Sequence, residues 1–255
     1  MYPVLFSYNG IIIYTYGLCV AAGGLFAFLY AHYSSKFELS KSLIPSLFIL
    51  SMLASLIGGK LFLVFEVGNL TSFLSDFTSG HGFVFYGAAI VCLIMWYVFS
   101  TYHRISYISV LDNVTYCGAI VLVFGKTGCL MAGCCFGKLC NSHVGVYFHH
   151  PLSAAIPLNQ PLYPVQMLDM LCAAVLFVWL HFSSMQQPGE RFIKCIAGYS
   201  ACRFVTEFFR GDEVRGYVVE KYLSNAQFVS LLFMLISLVI WLYNRTKLQN
   251  RNFTQ

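Results

Sequence analysis

Gly198-Tyr199-Ser200-Ala201-Cys202-Arg203-Phe204-Val205-Thr206-Glu207-Phe208-Phe209-Arg210-Gly211-Asp212-Glu213 continues an apolar stretch that starts near Ile193. At helical spacing Tyr199, Arg203, Glu207 and Arg210 fall at i, i+4, i+8 and i+11, which is one face. A charge at membrane depth costs at least ~2.5–3.5 kcal/mol on insertion scales, so it needs a partner or a function. A whole stripe of such groups predicts a membrane helix whose ionic face looks into a protein cavity and meets something anionic.

The rest of the chain fits that reading. Of its 255 residues, 58% are hydrophobic and only 10% charged, against about 25% charged in a soluble domain. The mean hydropathy is +0.71. This composition predicts an all-α, polytopic membrane helical bundle forming a single membrane-embedded domain over residues 1–255, and it gives no sign of nucleic-acid binding. No Lys or Arg precedes the first apolar run, so no removable signal peptide is expected.

A span needs about 20 mostly apolar residues. Seven candidates meet this, at roughly 11–30, 43–65, 83–99, 111–131, 165–182, 192–209 and 227–243. Seven spans place the termini on opposite sides. Lys36, Lys41, Arg104, Arg191, Lys194, Arg245, Lys247 and Arg251 gather on one side, which the positive-inside rule makes cytoplasmic. The N-terminus is then outside and the C-terminus inside. Lys60, Lys126, Lys138, Arg203, Arg210, Arg215 and Lys221 break the pattern, lying at outer ends of spans or in outer loops. A site for a negatively charged group explains them better than topology does. The longest outer loop, about 134–164, carries Pro151, Pro157, Pro161 and Pro164 and is expected to form a small structured cap.

Four segments have the character of a site. Tyr14-Thr15-Tyr16-Gly17 stands at the outer end of span one, where a tyrosine either belongs to the interfacial belt or donates to a headgroup. Ser79-Gly80-His81-Gly82-Phe83-Val84-Phe85-Tyr86-Gly87-Ala88 brackets the entry of span three with glycines and sets Tyr86 about one turn inside. The run Gly125-Lys126-Thr127-Gly128-Cys129 through Gly133, Cys134, Cys135, Gly137 and Lys138 offers small faces for helix contact and two cations for an anion. It lacks the spacing of a phosphate-binding P-loop. Cys129, Cys134, Cys135 and Cys140, with His143, His149 and His150, raise zinc or an outer disulfide. The absence of any Cys-x-x-Cys pair argues against metal, and none is expected. The fourth segment is the stripe itself, read either as a structural Arg203–Glu207 pair or as an anion site.

Taken in order, Tyr14-Thr15-Tyr16-Gly17, Gly58-Gly59-Lys60, Phe85-Tyr86-Gly87, Asp112, Gly125-Lys126-x-Gly128, Gly133 with Gly137, Tyr163-Pro164-x-Gln166 and Tyr199-x-x-x-Arg203-x-x-x-Glu207-Phe208-Phe209-Arg210 resemble the prolipoprotein diacylglyceryl transferase family over nearly the whole chain. The resemblance implies an enzyme of the bacterial plasma (inner) membrane. Such enzymes move a diacylglyceryl group from phosphatidylglycerol to the lipobox cysteine of a lipoprotein precursor and release glycerol phosphate. Several positions depart from the usual family pattern. Tyr86 stands where a His is usual, Lys126 and Cys129 where Arg and Asn are usual, Cys134 where Glu is usual, Tyr163 for His, and Lys60 for Arg. These changes resemble a cysteine-rich, Tyr-for-His branch of the family. An Arg-to-Lys change removes two-pronged phosphate contacts.

The implied chemistry displaces phosphate from a glycerol carbon by a thiolate. It needs a positive pocket for the leaving phosphate and a gap for two acyl chains. The expected catalytic residues are Arg203, Glu207, Tyr86 and Lys126, with Glu207 orienting Arg203. The expected substrate-binding residues are Tyr16, Lys60, Gly125, Gly128, Gly137, Lys138, Gln166, Tyr199 and Arg210. No cofactor is expected. Two other readings stay open: a family paralogue acting on a different lipid or acceptor, and a non-enzymatic lipid-binding membrane protein. A redox role for the outer cysteines is a third.

Overall fold

The computed structural model describes residues 2–8, 11–67, 85–141, 143–211, 217–219 and 222–253. The loop at 68–81, residues 79–84 of the glycine-bracketed segment, Asp212, Glu213, Arg215 and Lys221 lie outside them. Among the described residues there are seven helices: α1 (Thr15–Tyr33), α2 (Ile44–Val67), α3 (Phe85–Tyr102), α4 (Tyr107–Ala132), α5 (Val165–Phe182), α6 (Glu190–Glu207) and α7 (Asn225–Phe253). Lipid leaves backbone polar groups no partner but the helix itself, which is why apolar runs of this length become helices. All but α6 are long and apolar enough to cross a membrane, so the chain is a multi-pass, all-α membrane protein. Helix α6 has 18 residues, a length of roughly 27 Å, but five of them are acidic or basic: Glu190, Arg191, Lys194, Arg203 and Glu207.

The first predicted span starts too early. Ile11–Tyr14 is strand β2, paired antiparallel with β1 (Val4–Tyr8), and α1 begins only at Thr15. Two further small ladders join β3 (Val146–Tyr147) to β4 (Pro161–Leu162), and β5 (Tyr217–Val219) to β6 (Leu223–Ser224).

The chain forms two compact units. The first comprises Met1–Tyr30 and Val114–Gln255, the second Ala31–Asn113. In the second, α2 packs along α3. Their axes approach at Gly58 and Gly87: a Cβ on Gly58 would stand 2.5 Å from the Gly87 carbonyl oxygen, and one on Gly87 would run into the Gly58 carbonyl and the Phe62 side chain. Small residues permit this backbone contact in lipid, where packing rather than water expulsion joins helices. The Trp96 indole N–H donates to Ser51 Oγ across the same pair at 2.9 Å.

In the first unit, α6 packs on both α5 and α7. Tyr116, Leu176 and Leu180 are buried there, with Tyr30, Phe177, Cys195 and Tyr199 around them. The buried Arg191 lies over the Tyr116 ring at 4.6 Å, a cation–π contact that accommodates a guanidinium inside an aromatic core. The described part of the 134–164 segment carries the β3–β4 ladder. It has its own apolar centre of Phe148, Ala155 and Leu162 set on Leu130 of α4. Lys138 ties it to the end of α6: its N–H donates to the Phe209 carbonyl, and Gly211 N–H donates to that of Phe136.

Candidate functional site: a buried ionic chain and a trio of thiols

Of the predicted stripe, Tyr199, Arg203 and Glu207 lie on α6, whereas Arg210 lies past its end, bridged to Gly137; the charged members are linked rather than isolated. Arg203 NH2 lies 2.5 Å from Glu207 Oε2, within the same helix. Glu207 also accepts a hydrogen bond from Ser224 Oγ at 3.1 Å and stands 3.7 Å from Arg210 Nε. Arg210 NH1 in turn lies 3.9 Å from Asp169 Oδ2 of α5. The same carboxylate oxygen accepts from Lys126 Nζ of α4 at 2.5 Å. Among the described residues the Arg203–Glu207 pair joins no two helices; the links between elements run through Asp169 and Ser224.

Among these described groups three cations, Arg203, Arg210 and Lys126, meet two carboxylates, Glu207 and Asp169, a sum of one positive charge. All five side chains are largely buried, the most exposed being Lys126 at 13%. Taking charges out of water is costly unless each is compensated, so the surplus cation favours an anionic partner. Arg203 NH1 and NH2 are buried and neither has a hydrogen-bond partner among the described residues, so the guanidinium has donors to spare. A narrow cleft between α5 and α6 reaches it, lined by Asp169, Cys172, Ala173, Leu176, Tyr199, Cys202 and Arg203.

The other expected site residues take several kinds of place. Gln166 is wholly buried at the start of α5. Its Nε2 donates to the Cys134 carbonyl at 2.9 Å, so it holds the turn after α4, while its Oε1 has no hydrogen-bond partner among the described residues. Gly137 is a close approach, since a Cβ would run into the Tyr163 carbonyl. Lys138 is exposed, and its Nζ donates to the Phe208 carbonyl. Gly128 packs against Tyr16, whose Cδ2 a Cβ would meet at 2.9 Å; Gly125 has open space on its Cβ side. Lys60 and Tyr86 belong to the second unit, Lys60 partly buried on α2 and Tyr86 54% exposed at the start of α3.

Two features go beyond the sequence reading, one residue it passed over and one cluster it weighed and set aside. Asp169 anchors two of the three cations. The sequence signal was there, an acid inside the apolar run 165–182 that the rule applied to Arg203 would also have singled out. The second feature is the grouping of Cys129, Cys134 and Cys135, whose sulfur atoms all lie within 4.8 Å of one another. Gly133 and Cys135 adopt left-handed backbone, at φ 77° and 57°. That turn folds the chain back over the last turn of α4. All ten cysteines are free thiols. Hydrogen bonds from Cys129 and Cys134, with Lys126 and Arg210 nearby, hold the Cys135 thiol well below its usual range in spite of burial. Cys134 moves up to about 11: its bond with Cys129 lowers it, and its bond with Cys135 and burial outweigh that.

Residues 3–243 match the family described as prolipoprotein diacylglyceryl transferase. The chain belongs to this family. A phosphatidylglycerol–prolipoprotein diacylglyceryl transferase of Clostridium tetani is 32% identical over 256 residues, covering 98% of this chain and all of the relative. A second enzyme of that name from Clostridium perfringens is 31% identical, covering 98% of each, and one from Dehalococcoides mccartyi is 25% identical over 250 residues, covering 96% of this chain and 94% of the relative. Membership extends over both units, so the diacylglyceryl transferase fold includes Lys60 and Tyr86 as well as the ionic chain.

Proposed function

We propose that this protein transfers a diacylglyceryl group from phosphatidylglycerol, or a similar anionic phospholipid, to the cysteine thiol of a lipoprotein precursor in the bacterial plasma membrane. The observation that carries this reading is the buried chain Lys126–Asp169–Arg210–Glu207–Arg203, in which Arg203 NH1 and NH2 have no hydrogen-bond partner among the described residues. The names of the relatives support it. Arg203 is the phosphate contact: its fork can bind two phosphate oxygens, and Glu207 fixes its plane. Arg210 and Lys126 add charge that stabilises the phosphate as it leaves. Both are pinned by Asp169, so little reorganisation accompanies the reaction. Tyr16 is a weak choice of base for the thiol proton, because an ordinary phenol titrates near pKa 10.

The test is reconstitution of the purified protein in bilayers of phosphatidylglycerol or of phosphatidylethanolamine alone, with a peptide bearing a lipobox cysteine. The peptide is expected to gain the mass of a diacylglyceryl group, with glycerol phosphate released, in the first bilayer and not in the second. Lipid retained through purification without any transfer would instead favour a lipid-binding protein.

The orientation that goes with this reading has the N-terminus and the 134–164 cap outside and the C-terminus in the cytoplasm. Single-cysteine probes in the cap should then react with a membrane-impermeant thiol reagent in intact spheroplasts. Reaction only after permeabilisation would reverse the orientation.

A further inference from the structure

The reaction proposed above alkylates a thiol, and the ionic chain supplies no group that would make the thiolate. The trio Cys129, Cys134 and Cys135 does. A four-coordinate zinc–thiolate centre with Zn–S near 2.3 Å sets its sulfurs about 3.8 Å apart. The three Sγ atoms already lie within 4.8 Å of one another, so small side-chain rotations would close them on an ion. Cys129 is buried, whereas Cys134 and Cys135 are partly exposed, which leaves an approach from one side. The left-handed backbone at Cys135 is uncommon for a residue with a side chain, and such strain concentrates where a site requires it. The loose spacing in sequence argued against a metal. The turn through Gly133 removes that objection, because it converts distance along the chain into proximity of sulfurs.

We propose that Cys129, Cys134 and Cys135 bind a Zn2+ ion whose fourth coordination position receives the acceptor cysteine as a thiolate. This deepens the proposed transfer reaction and rests on it. Thiolate ligands select zinc or cuprous ions, and alkylation involves no redox change, which points to zinc. Three protein ligands with one open position is the arrangement of a catalytic rather than a structural zinc. Three thiolates on Zn2+ sum to one negative charge. That charge faces Lys126 and Arg210, which share it with Asp169 and Glu207, while Arg203, on the α5–α6 cleft, keeps the unbonded donors of NH1 and NH2 for the phosphate. Gln166 fixes the Cys134 carbonyl and so orients the ligand turn, as outer partners of metal ligands do. Tyr16 lies near the same three thiols.

In the step itself the acceptor thiol binds zinc and gives its proton to water, since a coordinated thiol is deprotonated. A sulfur lone pair forms the S–C bond to the glycerol carbon that bears the phosphate. The C–O bond to phosphate breaks, and its electron pair leaves on the glycerol phosphate, which departs with two negative charges. The thioether product is neutral, a poorer ligand than the thiolate, and dissociates.

The experiment uses the full chain purified in detergent, with metal content and melting temperature measured together. One zinc per chain is expected in the parent protein and in Cys92→Ser, a change in the second unit. Cys135→Ser and Cys134→Ala should lose the metal and melt above the temperature of the lipid-transfer assay. With Co2+ in place of Zn2+, a sulfur-to-metal charge-transfer band should appear. Its ligand-field bands should shift when a peptide with a single cysteine is added, and not with the serine version of that peptide. A parent protein that takes up neither ion overturns the proposal. So does full zinc retention in both variants, a disulfide within the trio in protein prepared under reducing conditions, or cobalt bands indifferent to the thiol peptide. Full-rate lipid transfer by metal-free protein also overturns it, and leaves the proposed reaction standing. The reverse result, cobalt bands that respond to the thiol peptide but no transfer from phosphatidylglycerol, supports the zinc site and removes the proposed reaction.

Discussion

Arg203→Lys is expected to melt like the parent protein and to transfer lipid about 10–150-fold more slowly, the equivalent of a charged hydrogen bond of roughly 1.5–3 kcal/mol. Lysine keeps the charge and the ion pair with Glu207 but loses the planar fork. In the structure NH2 forms an ion pair with Glu207 Oε2 at 2.5 Å, but neither NH1 nor NH2 makes a hydrogen bond to a described residue. The pair positions the guanidinium and leaves donors on both nitrogens for phosphate oxygens. Arg203→Ala removes both and leaves Glu207 with Ser224 and the more distant Arg210. Breaking a buried pair costs about 3–5 kcal/mol, so this variant should lose stability as well as activity. A purely structural Arg203 would make activity follow stability in both variants. Turnover and melting temperature, measured in one detergent with phosphatidylglycerol as donor, separate the two roles. Wild-type transfer by Arg203→Lys would remove Arg203 from the phosphate site.

How much of this was legible beforehand differs by level. The helices were, because lipid offers unsatisfied backbone groups no alternative; the apolar run 165–182 became α5, Val165–Phe182, without adjustment. The start of the chain was misread because the apolar residues of Ile11–Tyr14 suit a strand as well as a helix. The Asn9-Gly10 dipeptide just before them is a hairpin signal that was available. The helical placing of Tyr199, Arg203 and Glu207 was legible from periodicity; that of Arg210 was not, because α6 ends at Glu207. The partners of the stripe were not legible either, because they come from elsewhere in the chain: Asp169 is 43 residues from Lys126, and Ser224 is 17 from Glu207. Periodicity reports which face a residue occupies and is silent on what that face meets. The thiols were hidden for another reason. Four residues separate Cys129 from Cys134, and only the left-handed backbone at Gly133 and Cys135 brings them together.

Asp169 is the test of whether the ionic chain exists for stability or for chemistry. Asp169→Asn leaves Lys126 without its carboxylate and takes one of Arg210's acidic partners, and should destabilise the protein by about 3–5 kcal/mol, the usual consequence of unpairing a buried charge. Activity should fall with it, which by itself decides nothing. The informative variant is Lys126→Met with Asp169→Leu. Replacing a buried ion pair by apolar groups of similar volume is often neutral or stabilising, and Arg210 keeps Glu207 at 3.7 Å. The double variant should therefore recover most of the melting temperature lost by Asp169→Asn. It removes one positive and one negative charge, so the surplus charge of the remaining Arg203, Arg210 and Glu207 is unchanged. If Lys126 acts on the leaving phosphate, lipid transfer should stay low in this well-folded protein, by about 10-fold or more for a lost charged contact of at least roughly 1.5 kcal/mol. If stability and transfer both return, the Lys126–Asp169 pair is only a tie between α4 and α5, and the phosphate site contracts to the two arginines.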